Sequence, residues 1–165
     1  MDDAAFRRVV LFGDLEAVKK AVALDPQRLA RANPGGFTPL HVLMTEDRPE
    51  AAEVLIEAGA SVHARNEAGM TPLHLGQSPR VVAVLLRHGA DIEARCIGGA
   101  TPLLIQAEGQ LDSGSLEVMT ALIRAGANVT ARTDTGKSAL DVATLRAEPE
   151  KIALLEAALS AVAPT

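Results

Sequence analysis

The sequence predicts an all-α repeat solenoid, with helix–turn–helix units stacked in one row and joined by short β-hairpin loops. Three observations predict it. Two short marks recur in one register, one of the two spacings between them is constant, and the apolar content is almost wholly aliphatic. Thr38-Pro39-Leu40-His41 returns as Thr71-Pro72-Leu73-His74 and Thr101-Pro102-Leu103-Leu104, and weakly as Ser138-Ala139-Leu140-Asp141. A Gly-Ala pair stands at 59–60, 89–90 and 126–127. Each of these glycines precedes the next Thr or Ser by 12 residues, whereas the distance from Thr to Gly runs 21, 18 and 25. One connection is therefore of fixed length while the other accepts insertion and deletion, as expected of stacked repeats.

Each piece of the unit has a physical reason. Thr38 and Thr71 suit a helix N-cap, with Pro39 and Pro72 at the first helical position, where a missing N–H costs nothing. Ala51, Val54, Leu55 and Ile56 form one apolar face of a second helix; Val81, Val84, Leu85 and Leu86 repeat it, as do Val118, Ala121, Leu122 and Ile123. The Gly that follows suits a left-handed C-terminal cap, and Arg87 and Arg124 complement the helix dipole in the last turn. The 12-residue link carries Gly36, Gly69, Gly99 or Gly136 at its turn. Counting back from Thr38 places Pro26 where the Gly would stand, so the first unit is degenerate. The third unit lacks three residues after Leu75, so its first helix should end early, with Ser78-Pro79 starting the second. The fourth gains four residues within 109–115, read as a loop; a notch beside a bulge is expected opposite the hairpins.

Thr-Pro-Leu-His, the Gly-Ala ending and a period near 33 resemble the ankyrin repeat, and the resemblance covers essentially the whole chain. Gly13-Asp14-Leu15-Glu16-Ala17-Val18 is similar to the inter-helix turn of a first ankyrin unit. The expected organisation is a single domain, 1–165, with units at about 1–33, 34–66, 67–96, 97–133 and 134–165, the outer two acting as degenerate caps.

Composition narrows the function. A net charge of −5 with no basic stripe argues against nucleic acid and against an anionic membrane surface. The longest apolar runs fall far short of the about 20 residues that span a bilayer. The single cysteine, Cys96, excludes an internal disulfide and fits a reducing, cytoplasmic setting. There is no zincin, phosphate-loop, Cys-x-x-Cys or Gly-x-Ser-x-Gly motif, so no enzyme, cofactor or metal is expected. His41 and His74 share one place in adjacent units; the resemblance implies a structural role for them, bonded to backbone near their own hairpin.

The resemblance implies a monomeric protein-binding module that meets its partner through hairpin tips and the inner face of the first helices. On that reading Phe37 and Met70, each just before a Thr, are contact anchors. Arg65, Arg95 and Arg132 form a three-rung row suited to an acidic partner segment. Glu67, Ile97 and Asp134 occupy the tips, while Thr45, Glu46 and Glu108 are the polar positions on the first helices. Two alternatives stand beside it. One is a dedicated inhibitor, such as an immunity protein blocking one toxin or enzyme. The other is a small-ligand protein or enzyme using the notch near Gln77 and the 109–115 loop.

Overall fold

The computed structural model describes residues 1–109 and 115–162. These form nine α-helices: α1 (Asp3–Phe12), α2 (Leu15–Leu24), α3 (Pro39–Leu43), α4 (Pro49–Glu57), α5 (Pro79–Arg87), α6 (Pro102–Ala107), α7 (Ser115–Arg124), α8 (Ala139–Leu145) and α9 (Pro149–Val162). Two 3₁₀ turns, Pro26–Ala30 and Pro72–Leu75, complete the order. The first helices α1 and α3, the 72–75 turn, α6 and α8 stack in one layer, and α2, α4, α5, α7 and α9 in the other. The result is five helix pairs, the all-α solenoid the repeat predicts.

The start signals work as their chemistry requires. Thr38, Thr101 and Ser138 each accept a backbone N–H from three residues on, and Asp2 and Asp14 do the same for the first pair. The stop signals do too. Gly59, Gly89 and Gly126 have positive φ, and the next amide reaches back to Leu55, Leu85 and Leu122, the paired closure of a Schellman cap. Pro26 cannot play this part, and α2 ends at Leu24 with a 3₁₀ turn behind it. In α9 the residue ten places after the opening proline is Leu159 rather than Gly, so nothing stops the helix; it runs 14 residues where α4 and α5 run 9.

The apolar faces meet between the layers. Phe6, Leu40, Leu55, Leu73, Leu85, Leu103, Leu122 and Leu155 are fully buried in one continuous cluster. The third pair is shortened as expected, its first helix reduced to the 72–75 turn and Ser78 capping α5. The residues expected to bulge from the fourth pair, 110–114, lie outside the described residues. The hairpins are hairpin turns rather than strand pairs: one isolated bridge, Arg132 with Ser138, is the extent of β-structure among the described residues.

Candidate partner-binding edge

Four hairpins line one edge of the stack. Each is closed by one bond across its base: Asn33 N–H to the Phe37 carbonyl, Asn66 to Met70, Cys96 to Ala100 and Thr133 to Lys137, all at 2.9–3.0 Å. Successive tips are joined as well, because Glu67 N–H donates to the Gly35 carbonyl at 3.2 Å, Ile97 to Ala68 at 2.9 Å and Asp134 to Gly98 at 2.9 Å. The edge is thus a continuous hydrogen-bonded ridge. Along the rising segments of the second, third and fourth hairpins exposure alternates, as extended backbone dictates. Ala94 and Cys96 are buried while Arg95 and Ile97 are exposed.

Two side-chain ladders tie the ridge to the helices. His41 Nδ1 accepts from the Thr38 backbone N–H at 3.2 Å, which leaves the proton on Nε2, and Nε2 donates to the Met70 carbonyl at 3.0 Å. His74 repeats this with Thr71 and the Ala100 carbonyl. Each ring thus bonds backbone at its own hairpin, as expected, and also bridges to the next one, because the first helix stacks directly beside its neighbour's hairpin base. Burial holds both histidines below the usual imidazole pKa. The second ladder is the arginine row. Arg65 Nη1 donates to the Gly69 carbonyl at 2.7 Å and to the Arg95 carbonyl at 2.6 Å. Arg95 Nη1 donates to Gly99 and Arg132 carbonyls, both at 2.8 Å. Arg132 holds Gly136 O at 2.6 Å and turns to Asp141 Oδ2 at 3.2 Å. Ser138 and then Arg132 hold the Asp141 carboxyl below its ordinary range.

The remaining candidates divide between two places. Glu67, Ile97 and Asp134 are exposed on the ridge with the arginines. Phe37 and Met70 are half-buried at successive hairpin bases and pack on the core. The Phe37 ring covers Gly35 and meets the His41 ring edge-on at 6.0 Å, so only part of it faces outward. Thr45, Glu46 and Glu108 lie at the far ends of the first helices, one helix length from the ridge. Thr45 Oγ1 is turned back to the Val42 carbonyl at 3.0 Å.

The structure adds two positions at those ends that sequence reasoning missed. Phe12 is 72% exposed and Leu145 73%. Phe12 immediately precedes the turn at Gly13-Asp14, as Glu46 precedes the turn at Asp47; that register was available in the sequence. His88 Nε2 lies 2.5 Å from Glu53 Oε1 on the opposite, second-helix face. Burial raises the Cys96 thiol pKa, the reverse of what a reactive thiolate needs.

A model of three ankyrin repeats matches residues 6–96, and a single ankyrin-repeat model matches 98–134. Among curated proteins the chain is similar to protein phosphatase 1 regulatory subunit 27 of Homo sapiens, 35% identical over 77 residues, and of Mus musculus, 32% identical over 77 residues. Each match covers 47% of this chain and 50% of the relative, so the chain spans about half the length of the curated relatives it matches.

Proposed function

The chain belongs to the ankyrin-repeat family, and on that premise we propose that it is a non-catalytic, cytoplasmic recognition module that grips a partner protein with its hairpin ridge. The family implies protein interaction; the choice of the ridge rests on one observation. Backbone bonds fix the tips to one another, while the side chains at the tips (Glu67, Ile97 and Asp134) stay exposed. A surface already ordered before contact loses little conformational entropy on binding. The outward parts of Phe37 and Met70 extend the contact at the hairpin bases. The unused edges of Arg65 and Arg95 suit an acidic segment of the partner. Thr45, Glu46 and Glu108 at the helix ends form a second, outer contact.

A second reading has its own support. The relatives are named as regulatory subunits of protein phosphatase 1, which favours a partner that is itself an enzyme whose activity changes on binding. That is the inhibitor class of function with a phosphatase as target. No helix among the described residues is long and apolar enough to cross a membrane.

One calorimetric experiment tests both readings. Wild type and the Phe37→Ser/Met70→Ser variant are titrated into protein phosphatase 1 catalytic subunit, with phosphatase activity followed in parallel. Binding by wild type that weakens at least tenfold in the variant, with helicity intact, supports the ridge and the phosphatase together. Binding that the variant leaves unchanged moves the contact away from the hairpin bases. Absence of binding removes the phosphatase reading.

A further inference from the structure

One hairpin differs from the other three, and the difference falls on the ridge. At positive φ, Gly36, Gly69 and Gly136 stand alone in their hairpins, whereas the third has two such residues in succession, Gly98 at 89° and Gly99 at 75°. A positive φ at the second central position defines a type II turn, in which the peptide between the central residues is flipped relative to type I. In the second and fourth hairpins Ala68 and Thr135 stand at that position, where a side chain disfavours positive φ, and in the first the residue at the base fixes it. Asn33 Oδ1 accepts from the Gly35 N–H at 3.0 Å, which holds that peptide in the type I sense. Cys96 stands in the same place and instead donates Sγ–H to the Ile97 carbonyl at 3.4 Å. The flipped tip carries Ile97, which is 75% exposed, and its Cγ1 leans over Gly69, beside Met70.

The charge pattern is also singular there. Residues two apart on the rising segment share a face. In the second hairpin that face carries Arg65 with Glu67, and in the fourth Arg132 with Asp134, both locally neutral. In the third it carries Arg95 with Ile97, a cation beside an aliphatic side chain. Arg95 is exposed and spends only Nη1 on the ridge carbonyls, which leaves Nε and Nη2 for a bidentate carboxylate. We infer that the third hairpin is the specificity-determining contact of the ridge, and that it takes a protein segment in which a carboxylate stands next to an apolar side chain, the carboxylate on Arg95 and the apolar group on Ile97 and Gly69. The flanking hairpins, hydrogen-bonded directly to this one, present Glu67 and Asp134, the latter with its carboxylate against Gly99, and so reject a segment that is acidic throughout. This assignment rests on the proposed use of the ridge.

The test is a backbone-amide NMR titration with three hexapeptides. One has a Leu-Phe pair flanked by aspartates; the other two replace the aspartates with asparagines or with lysines. The aspartate peptide is expected to shift amides 95–99, with at least fivefold weaker binding for the asparagine peptide and at 0.5 M salt, and with loss of binding in Ile97→Ser. Ile97→Leu restores it. Ile97 is too exposed for these changes to unfold the hairpin. A lysine peptide that binds as well, or shifts that persist in Ile97→Ser, overturn the inference. Shifts centred on Phe37 and Met70 that survive Ile97→Ser overturn the assignment to the third hairpin but leave the ridge standing. Shifts confined to the ends of the first helices, or none with any peptide at millimolar concentration, overturn both.

Discussion

At the scale of single residues, the ridge depends on glycines for two separable reasons. Gly136 has φ of 80° and open space where a Cβ would go. Gly99 has φ of 75°, and a Cβ there would lie 2.8 Å from Asp134 Cγ and 2.9 Å from Asp134 N. Gly136→Ala should therefore cost only the left-handed conformation, about 1–2 kcal/mol. Gly99→Ala should cost more, because the next hairpin must also move and its bond to Gly98 must break. Chemical denaturation of the two variants checks this, and equal losses would show that the tips are not held together. The histidines give a second residue-scale prediction. Both are neutral when buried, so between their lowered folded pKa and the unfolded value of about 6.5 the unfolded chain binds more protons. Their contribution is fully present above pH 6.5 and is lost as pH falls below it through the folded values. The lowered carboxyls of Asp141, Glu53 and Glu148 give way only in the more acid carboxylate range. Thermal unfolding should show a falling midpoint between pH 7 and 5, and His41→Gln with His74→Gln should flatten that slope.

At the scale of helices, α4, α5, α7 and α9 each turn a leucine wholly into the core, as α2 does Val18. Leu85→Ala in α5 should cost about 2–5 kcal/mol, since Leu85 is fully buried between the neighbouring pairs. A loss below about 0.5 kcal/mol in a urea titration would contradict that packing. This burial was legible in the sequence, because Leu55, Leu85 and Leu122 all stand four residues before a capping glycine. The third pair's shortened first helix was legible from the missing residues alone. Other elements were not. The length of α9 follows from a glycine that is absent, and its extension lays Ala158 and Ala161 beside Val129. The arginine row was legible as a row, yet its role was not. Spacing shows that Arg65, Arg95 and Arg132 share a register, but only the geometry shows Nη1 of Arg65 and of Arg95 each bound to its own and its neighbour's backbone, and that of Arg132 to its own backbone and Asp141. Likewise nothing in the spacing says that the third hairpin takes a different turn at Gly98.

At the scale of the whole molecule, the pairs are joined by two sets of bonds that run in opposite directions. On the hairpin side the side-chain donors reach forward, from His41 to Met70 and from Arg65 to Arg95, over tip amides that reach back. At the far ends of the first helices each donor reaches back. Arg48 donates to the Val10 carbonyl at 2.6 Å and also to that of Gly13, the Gln77 amide to Met44 at 3.1 Å, Gln106 Nε2 to Gly76 at 3.0 Å and Lys151 Nζ to Gln106 at 3.2 Å. Four different groups meet one need, the outward-facing carbonyls at helix ends, which is why no motif announces them. Gln77 and Gln106 do so where the shortened third pair would otherwise leave a gap. Each pair is thus held from both sides by its neighbours, and a stack of this kind is as cooperative as its interfaces. Lys151 is the last backward donor, nearly buried and paired with Glu148 at 2.8 Å. Lys151→Met keeps its stem packed but removes a charge-assisted bond to the Gln106 carbonyl, which is left with the Gly109 amide alone, at a cost of about 1.5–3 kcal/mol. Because only the last interface is weakened, hydrogen exchange should accelerate in α8 and α9 and stay unchanged in α3 to α5. Leu85→Ala, by contrast, should raise exchange on both sides of α5. If Lys151→Met instead loosens the whole chain evenly, the five pairs unfold as one unit and the end interfaces carry no separate weight.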